Sequence, residues 1–291
     1  MFDSRIERFY ATIPETQKEV LRDFDLSHPQ KILDVNGVVW SYFDSATDGE
    51  VLLLLHGGYA DFKMWIHQIM AFEGEYRVIA PTCPALPDAT MKAYSQALYA
   101  ILKEERVSKL HMMGYSEGGL IAQCFLRDHP AMVDKVILAH TFYPSSQSRY
   151  ARGGFRVFKI MPAFLTEWLF RTLARPDEEE LQSDLSEWLA WFKGYFKELK
   201  HNLTKGTIIT HIELMKDFVK NYHFEPGDVS DWDGDMLITV SADDVVLEYF
   251  DGLKWLYPRA EHHTFPKGLG AHSIALISPG VFNRRIWAFL E

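Results

Sequence analysis

The sequence is poor in the features that mark several common classes of protein. Cys83 and Cys124 are its two cysteines, too few for a disulfide framework and without metal-ligand spacing, so both are expected to be reduced thiols. No apolar run approaches the roughly 18 consecutive residues of a membrane-spanning helix. The opening residues MFDSRIERFY lack the basic and then apolar segments of a signal peptide. These absences predict a soluble, cytoplasmic protein without a membrane span.

Charge of one sign is not concentrated in any long block. The 40 acidic and 30 basic residues give a formal net charge of -10 and are mixed along the chain, so neither nucleic acid nor an anionic membrane surface is an expected partner. Several histidines are present, but none forms the i, i+4 pair with a glutamate that a zinc-protease helix needs. The sequence therefore predicts no metal site and no cofactor.

What the sequence does contain is an alternation of buried-strand and helical patterns. Residues 4–23 are weakly helical, and the following segment alternates apolar and polar residues around Asn36-Gly37, the strongest short hairpin signal. Helical patterns, one of them opening at Asp88, separate continuous apolar runs that suit strands buried on both faces of a parallel sheet: Val51 to Leu55, Tyr76 to Ala80, the segment from Leu110, and Val133 to Ala139. We predict an α/β fold with a mostly parallel central sheet of about eight strands, flanked by helices.

The alternation breaks in one long stretch, residues 142–233. Aromatic-rich helical patterns fill this stretch, and strand character returns only at Met236 to Val240. The predicted organisation is a helical N-terminal extension over residues 1–30, an α/β core formed by residues 31–141 and 234–291, and a helical cap over residues 142–233.

The strongest local motif is Gly114-Tyr115-Ser116-Glu117-Gly118, between a strand and a helical pattern. In that setting G-x-S-x-G forces the serine into a strained turn with an exposed hydroxyl, and the glycines let strand and helix approach closely. The pentapeptide alone is weakly specific. Three further features follow other predicted strands: Gly57-Gly58, Asp243-Asp244 and His272. Because the carboxyl ends of parallel strands lie at one edge of a sheet, these features are expected to converge there.

These motifs resemble those of the α/β-hydrolase family, in which nucleophile, acid and histidine occur in this chain order. The resemblance rests on H-G-G at 56–58, G-Y-S-E-G at 114–118, S-A-D-D at 241–244 and G-A-H-S at 270–273. It covers about residues 31–291 and includes the position of the cap, so it implies the α/β-hydrolase fold with a helical cap insert.

A closer likeness is to the maspardin-like branch of that family. It is carried by V-I-A-P at 78–81, M-P-A-F at 161–164 and F-E-P at 224–226. The chain has T-C-P-A at 82–85 where many family members carry D-x-R-G-x-G, so the substrates of better-known relatives do not transfer to it.

Acyl-transfer chemistry gives each motif a role. A serine hydroxyl needs a base to remove its proton, and neutral imidazole suits that role, so Ser116 is the predicted nucleophile and His272 the base. A buried carboxylate would orient the imidazole and stabilise the imidazolium. By its family position, three residues after Ser241, Asp244 is the predicted acid, and Asp243 is the alternative.

Backbone donors are needed for the oxyanion of the tetrahedral intermediate. The positions that match the family are Gly58 and Glu117, each through its backbone N–H. Tyr59, which follows Gly58, and Tyr115, which precedes Ser116, are the candidate substrate-binding residues.

The sequence therefore predicts a serine esterase that acts on small or medium carboxylic esters, with an apolar pocket between the sheet edge and the cap. A serine at this turn argues against the dehalogenase and epoxide-hydrolase schemes, which use an aspartate there. Hydrolysis of lactones, thioesters, amides or carbon-carbon bonds stays open on the same triad. The maspardin likeness also leaves open a non-catalytic binding or adaptor protein, against which the intact His272 argues.

Overall fold

The computed structural model of the chain describes residues 2–86, 88–143, 156–173 and 187–291. Parts of the predicted helical cap, residues 144–155 and 174–186, lie outside the described residues.

The described residues form an eight-stranded sheet. Its strands are β1 (Gln30–Val35), β2 (Val38–Asp44), β3 (Val51–Leu55), β4 (Arg77–Thr82), β5 (Leu110–Tyr115), β6 (Val133–Ala139), β7 (Asp235–Ser241) and β8 (Glu261–Phe265). They are ordered β1-β2-β4-β3-β5-β6-β7-β8. β2 pairs antiparallel with β1 and β4, and the remaining pairs are parallel. The predicted mostly parallel sheet of about eight strands is confirmed.

The first two strands are joined by the hairpin that the sequence predicts. Asn36 and Gly37 both have positive φ, 54° and 82°, as the favoured two-residue hairpin turn requires. Asp34 Oδ1 accepts a hydrogen bond of 2.7 Å from Gly37 N and closes the turn.

Helices precede the sheet and cover both of its faces. α1 (Phe2–Phe9) and α2 (Glu15–Ser27) come first. Three helices lie between β3 and β6: α3 (Ile66–Phe72), α4 (Met91–Glu104) and α5 (Glu117–Asp128). Three more follow β7, namely α10 (Phe250–Leu256), α11 (Ile274–Ile277) and α12 (Pro279–Leu290), while α6 to α9 lie between β6 and β7. The prediction that Asp88 opens α4 is wrong. Thr90 caps this helix by accepting a hydrogen bond from Ala93 N, whereas Asp88 lies outside it with φ 53°.

The described residues between β6 and β7 include four helices: α6 (Arg156–Ile160), α7 (Ala163–Leu173), α8 (Leu189–Asn202) and α9 (Lys205–Asn221). α8 packs Trp191 and Tyr195 into the apolar layer on one face of the sheet. α9 packs Leu214 and Phe218 into the layer on the other face. Both helices are thus held by the core.

The apolar core has two layers because strand side chains alternate between the faces of a sheet. In β3, Leu53 and Leu55 belong to one layer and Leu52 and Leu54 to the other, and all four are fully buried. In the ranges that the structure describes, no helix is both long and apolar enough to cross a membrane. The candidate site is formed by the segments that follow the carboxyl ends of the strands.

Candidate active site

Ser116 lies in a tight turn between β5 and α5. Its backbone has φ 52° and ψ -117°, a conformation that is strained for any residue with a side chain. Flanking glycines make the turn possible: a Cβ atom would lie 2.4 Å from Gly118 O at position 114, and 2.1 Å from Leu55 O at position 118. The predicted serine turn is therefore present, and strand and helix approach each other as the motif requires.

His272 brings its imidazole to this serine from a short 3-10 helix, Ala271–Ser273, after β8. Its Nε2 lies 3.1 Å from Ser116 Oγ, and its Nδ1 lies 2.9 Å and 3.1 Å from the two carboxylate oxygens of Asp244. The backbone is held as well, because the Tyr115 hydroxyl donates to His272 O at 2.5 Å. Three side chains that are far apart in sequence thus form one line of hydrogen bonds at the carboxyl edge of the sheet.

Of the two neighbouring aspartates, the structure brings Asp244 to the histidine. Its side chain is fully buried, while Asp243 instead accepts a hydrogen bond from Gly268 N. Burial by itself raises the pKa of Asp244, but the hydrogen bonds from His140 and His272 outweigh burial and hold this pKa well below its ordinary value. Asp244 is consequently a carboxylate at neutral pH.

His140 is a second histidine on the same carboxylate, and it lies in none of the motifs that predict the site. It follows β6 directly, is completely buried, and places Nδ1 2.5 Å from Asp244 Oδ2. Burial is the main cause that lowers the pKa of His140, so its ring is neutral. The only sequence signal was its position after a buried strand, which it shares with the other residues of the site.

Three side chains of the site offer metal-ligand atoms that lie close together. In the described part of the chain, His140, Asp244 and His272 place such atoms within 4.8 Å of one another. Both Nδ1 atoms, however, point at the carboxylate within hydrogen-bonding distance. This arrangement uses the nitrogens as N–H donors rather than as lone-pair ligands.

The glycine loop after β3 lies beside the serine, and a buried histidine holds it. His56 Nδ1 donates to Gly57 O at 2.7 Å, and its Nε2 accepts from Cys83 N at 3.0 Å. Gly57 itself approaches the nucleophile, since a Cβ atom there would lie 3.4 Å from Ser116 Cβ. His56 therefore has a structural role, since it ties the glycine loop to the segment after β4.

A further histidine outside the predicted site, His211 of α9, connects Gly58 with Glu117. Its Nδ1 forms a short hydrogen bond with the Glu117 carboxylate, and a Cβ atom at Gly58 would lie only 2.6 Å from the same Nδ1. Among the described residues, the backbone N–H groups of Gly58 and Glu117 form no hydrogen bond. No local motif marks His211, because the contact exists only once α9 packs here.

A cavity of about 460 Å³ opens onto Ser116. Its walls are largely apolar and include the buried ring of Tyr115. Four further wall side chains come from α8: Phe192, Tyr195, Phe196 and Leu199. Tyr59, the other predicted substrate-binding residue, does not line this cavity; its ring packs 4.3 Å from that of His211. The structure thus brings Tyr115, but not Tyr59, to the space beside the serine.

The fold agrees with the comparisons of the chain with known proteins. Residues 50–265 match the family model described as alpha/beta hydrolase fold, and the chain belongs to this family.

Relatives in the family differ in what their names say they act on. The chain is similar to 2-hydroxy-6-oxo-6-phenylhexa-2,4-dienoate hydrolase of Burkholderia cepacia, at 27% identity over 78% of this chain and 83% of that protein. Epoxide hydrolase 4 of Mus musculus is also 27% identical, but this match covers 46% of the chain and 42% of that protein. The chain thus matches less than half of the length of the latter relative.

Among solved structures, naproxen esterase from Bacillus subtilis superposes with a TM-score of 0.67 at 17% identity, over 99% of this chain and 98% of that chain. At this identity the superposition shows a shared fold.

Proposed function

We propose that the chain is a serine hydrolase that cleaves small or medium carboxylic esters through an acyl-enzyme on Ser116. The observation that supports this most directly is the line from Ser116 Oγ to His272 Nε2, 3.1 Å, and from His272 Nδ1 to Asp244, 2.9 Å. The spacing suits proton transfer from hydroxyl to imidazole, with a carboxylate behind the imidazole.

In the proposed reaction Ser116 Oγ attacks the ester carbonyl carbon while His272 Nε2 takes the hydroxyl proton. The oxyanion receives hydrogen bonds from the backbone N–H groups of Gly58 and Glu117. Collapse of this intermediate breaks the bond to the alcohol oxygen, which takes the proton from His272. Water then attacks the acyl-serine with the same base, releasing the acid and restoring Ser116. Asp244, ionised throughout, holds His272 in the tautomer that presents a lone pair at Nε2.

The cavity supports an apolar acyl or alcohol group as the part of the substrate that is recognised. Its volume of about 460 Å³ suits a small molecule. Because α8 supplies one wall, we assign residues 142–233 as a cap over the core of residues 31–141 and 234–291, with residues 1–30 as an N-terminal extension.

Fluorophosphonate labelling tests the proposal. The protein should gain one phosphonyl adduct by intact mass, and Ser116→Ala should gain none. Ser230→Ala is the matched control, since Ser230 lines a separate depression around Trp232 and Arg259 and its loss should leave labelling unchanged. Full labelling of Ser116→Ala contradicts the proposed nucleophile. A series of chromogenic esters of increasing acyl length would then define the acyl group accepted.

Carbon-carbon bond hydrolysis is the second candidate, because the Burkholderia cepacia relative is named for a 2-hydroxy-6-oxo-dienoate substrate. Loss of dienoate absorbance at a higher kcat/KM than any ester would favour it. A non-catalytic adaptor instead predicts a folded protein that neither reacts with the probe nor turns over either substrate class.

A further inference from the structure

The proposed triad acid has two imidazoles on its carboxylate, and the proposed mechanism uses only one of them. His272 approaches both oxygens of Asp244, whereas His140 approaches Oδ2 at 2.5 Å. The backbone N–H of Val246 donates to Oδ1 at 2.9 Å. The carboxylate therefore has three donors around it: the His140 ring from the end of β6, the Val246 N–H from its own turn, and the proposed base His272.

The position of the His140 proton follows from its surroundings. A neutral imidazole carries one N–H. If that hydrogen were on Nε2, the lone pair of Nδ1 would face a carboxylate at 2.5 Å, which is repulsive. The Nε2 atom is buried and has no hydrogen-bond partner among the described residues. A proton there would be left unpaired in an apolar site, so the hydrogen lies on Nδ1 and is donated to Asp244.

The fold holds this ring in one orientation. His140 has φ 50°, and its backbone N donates to Thr239 O of the adjacent strand at 2.8 Å. Its ring is stacked against those of Tyr115 and Phe265, with centroids 5.1 Å and 6.1 Å away. A residue that is fully buried, in the left-handed region and stacked on two sides has little freedom to turn its donor elsewhere.

We propose that His140 is a positioning residue for this site. Its buried Nδ1–H orients the Asp244 carboxylate and withdraws negative charge from the carboxylate oxygens. Asp244 then holds the His272 imidazole in place without raising the basicity of that imidazole too far. The inference rests on the proposed serine hydrolase function. The donor stabilises the ionised acid and limits how strongly that acid attracts a proton onto His272.

Among the described residues, the groups near His140 that can titrate or carry charge lie at the ends of three other strands. Asp244 and Asp243 follow β7, His272 follows β8 with its ring centroid 6.1 Å from that of His140, and Tyr115 ends β5. Burial lowers the pKa of His140 and so opposes its protonation, and neither asparagine nor leucine at position 140 titrates. A change in the pH profile after substitution of His140 would therefore report its effect on the Asp244–His272 pair.

Two substitutions separate the donor from the packing. In His140→Asn the side-chain amide keeps an N–H near the position of Nδ1, and asparagine tolerates positive φ. His140→Leu keeps the volume and removes the donor. We expect His140→Leu to lower kcat about tenfold with little change in KM, and to move the acidic limb of the kcat/KM profile upward by about 0.5 to 1 pH unit. His140→Asn should retain the limb and a kcat within about threefold of the parent.

Equal losses in both variants, or an acidic limb that neither variant moves, would overturn the proposal, because packing alone would then explain His140. Thermal melting of each variant establishes that the comparison is made between folded proteins.

A second measurement needs neither turnover nor a stable leucine variant. In protein labelled with ¹⁵N-histidine, the two imidazoles on Asp244 should each give a low-field N–H resonance, one lost in His140→Asn and the other in His272→Ala, whereas the resonance from the His211–Glu117 hydrogen bond should persist in both variants. Absence of any low-field resonance that His140→Asn removes would overturn the proposal. Both resonances from the imidazoles on Asp244, in a protein that the fluorophosphonate fails to label, would support the hydrogen bond while contradicting the proposed serine chemistry, so the two failures are distinguishable.

Discussion

Replacing Gly58 by alanine is the substitution whose effect the structure defines best. The added methyl carbon would lie 2.6 Å from His211 Nδ1 and 2.7 Å from its Cε1, whereas ordinary contacts of a Cβ atom begin at 3.4 Å. Either the imidazole or the glycine loop must therefore move by about 0.8 Å, since close-packed groups do not overlap.

The imidazole is not free to make this movement cheaply. His211 is hydrogen-bonded to the Glu117 carboxylate and packed against the ring of Tyr59. Its displacement would break this hydrogen bond and separate the two rings. Displacement of the loop would instead move the N–H of Gly58 away from the oxyanion. Misplacement by about 1 Å costs roughly 10²-fold in rate, and loss of one oxyanion donor costs about 10²- to 10³-fold. We therefore expect Gly58→Ala to lower kcat about 10²-fold with a smaller change in KM.

Steady-state kinetics on a chromogenic ester would measure this loss. Gly74→Ala is the matched control, because a Cβ atom there meets nothing within 4 Å, and it should keep the parent kcat. His211→Ala should cost about tenfold by freeing Glu117. The double variant Gly58→Ala/His211→Ala removes the clash and should be no slower than Gly58→Ala alone, because contacting residues do not act additively. Parent-like kcat in Gly58→Ala, or a double variant showing the product of the single losses, would refute this reasoning.

Three further predictions concern the acid, the base and a buried histidine. Ser116→Ala combined with His272→Ala should be hardly slower than either single variant, because triad members act as a unit; multiplied losses in ester kinetics would contradict this. Asp244→Asn should lower kcat by about 10⁴-fold, while Asp243→Asn should cost less than about tenfold, and equal losses would reject Asp244 as the acid. Burial lowers the pKa of His67 to about 3, so below about pH 6.5 the unfolded chain binds a proton that the folded chain does not. Stability contributed by His67 is therefore full above that pH and falls by up to about 1.4 kcal/mol per pH unit as pH drops towards 4. In urea titrations at a series of pH values, His67→Phe should lose this pH dependence of the unfolding free energy, about 1.4 kcal/mol per pH unit. An unchanged dependence on pH would contradict the prediction.

Local features of the fold were predictable because they depend on a few adjacent residues. Asn36-Gly37 specifies a two-residue hairpin by its tolerance of positive φ. The start of α4 was mistaken, since Asp88 and Thr90 are both good capping residues. Tertiary contacts decide which of the two begins the helix. Met91 N, in the first turn of α4, donates to the Asp217 carboxylate of the distant α9 at 2.8 Å.

The residues of the candidate site also divide into those that the sequence could predict and those that it could not. Ser116 and His272 were predictable from glycine-bearing motifs that have a fixed relation to strand ends, and the structure brings the two side chains together. Asp243 and Asp244 could not be separated with certainty, because adjacent residues differ only in the direction of their side chains. His140 and His211 were missed, since neither lies in a motif.

The sequence by itself determined the strand and helix periodicity, the strained serine turn and the chain order of serine, aspartate and histidine, because each is encoded in short-range backbone preferences and side-chain spacing. Tertiary structure alone decided which aspartate faces His272, that His140 shares its carboxylate, and that a histidine from α9 lies against Gly58 and Glu117. These contacts join residues that are far apart in the chain. They depend on how β6, β7 and α9 pack, and packing is a property of the whole core rather than of any segment.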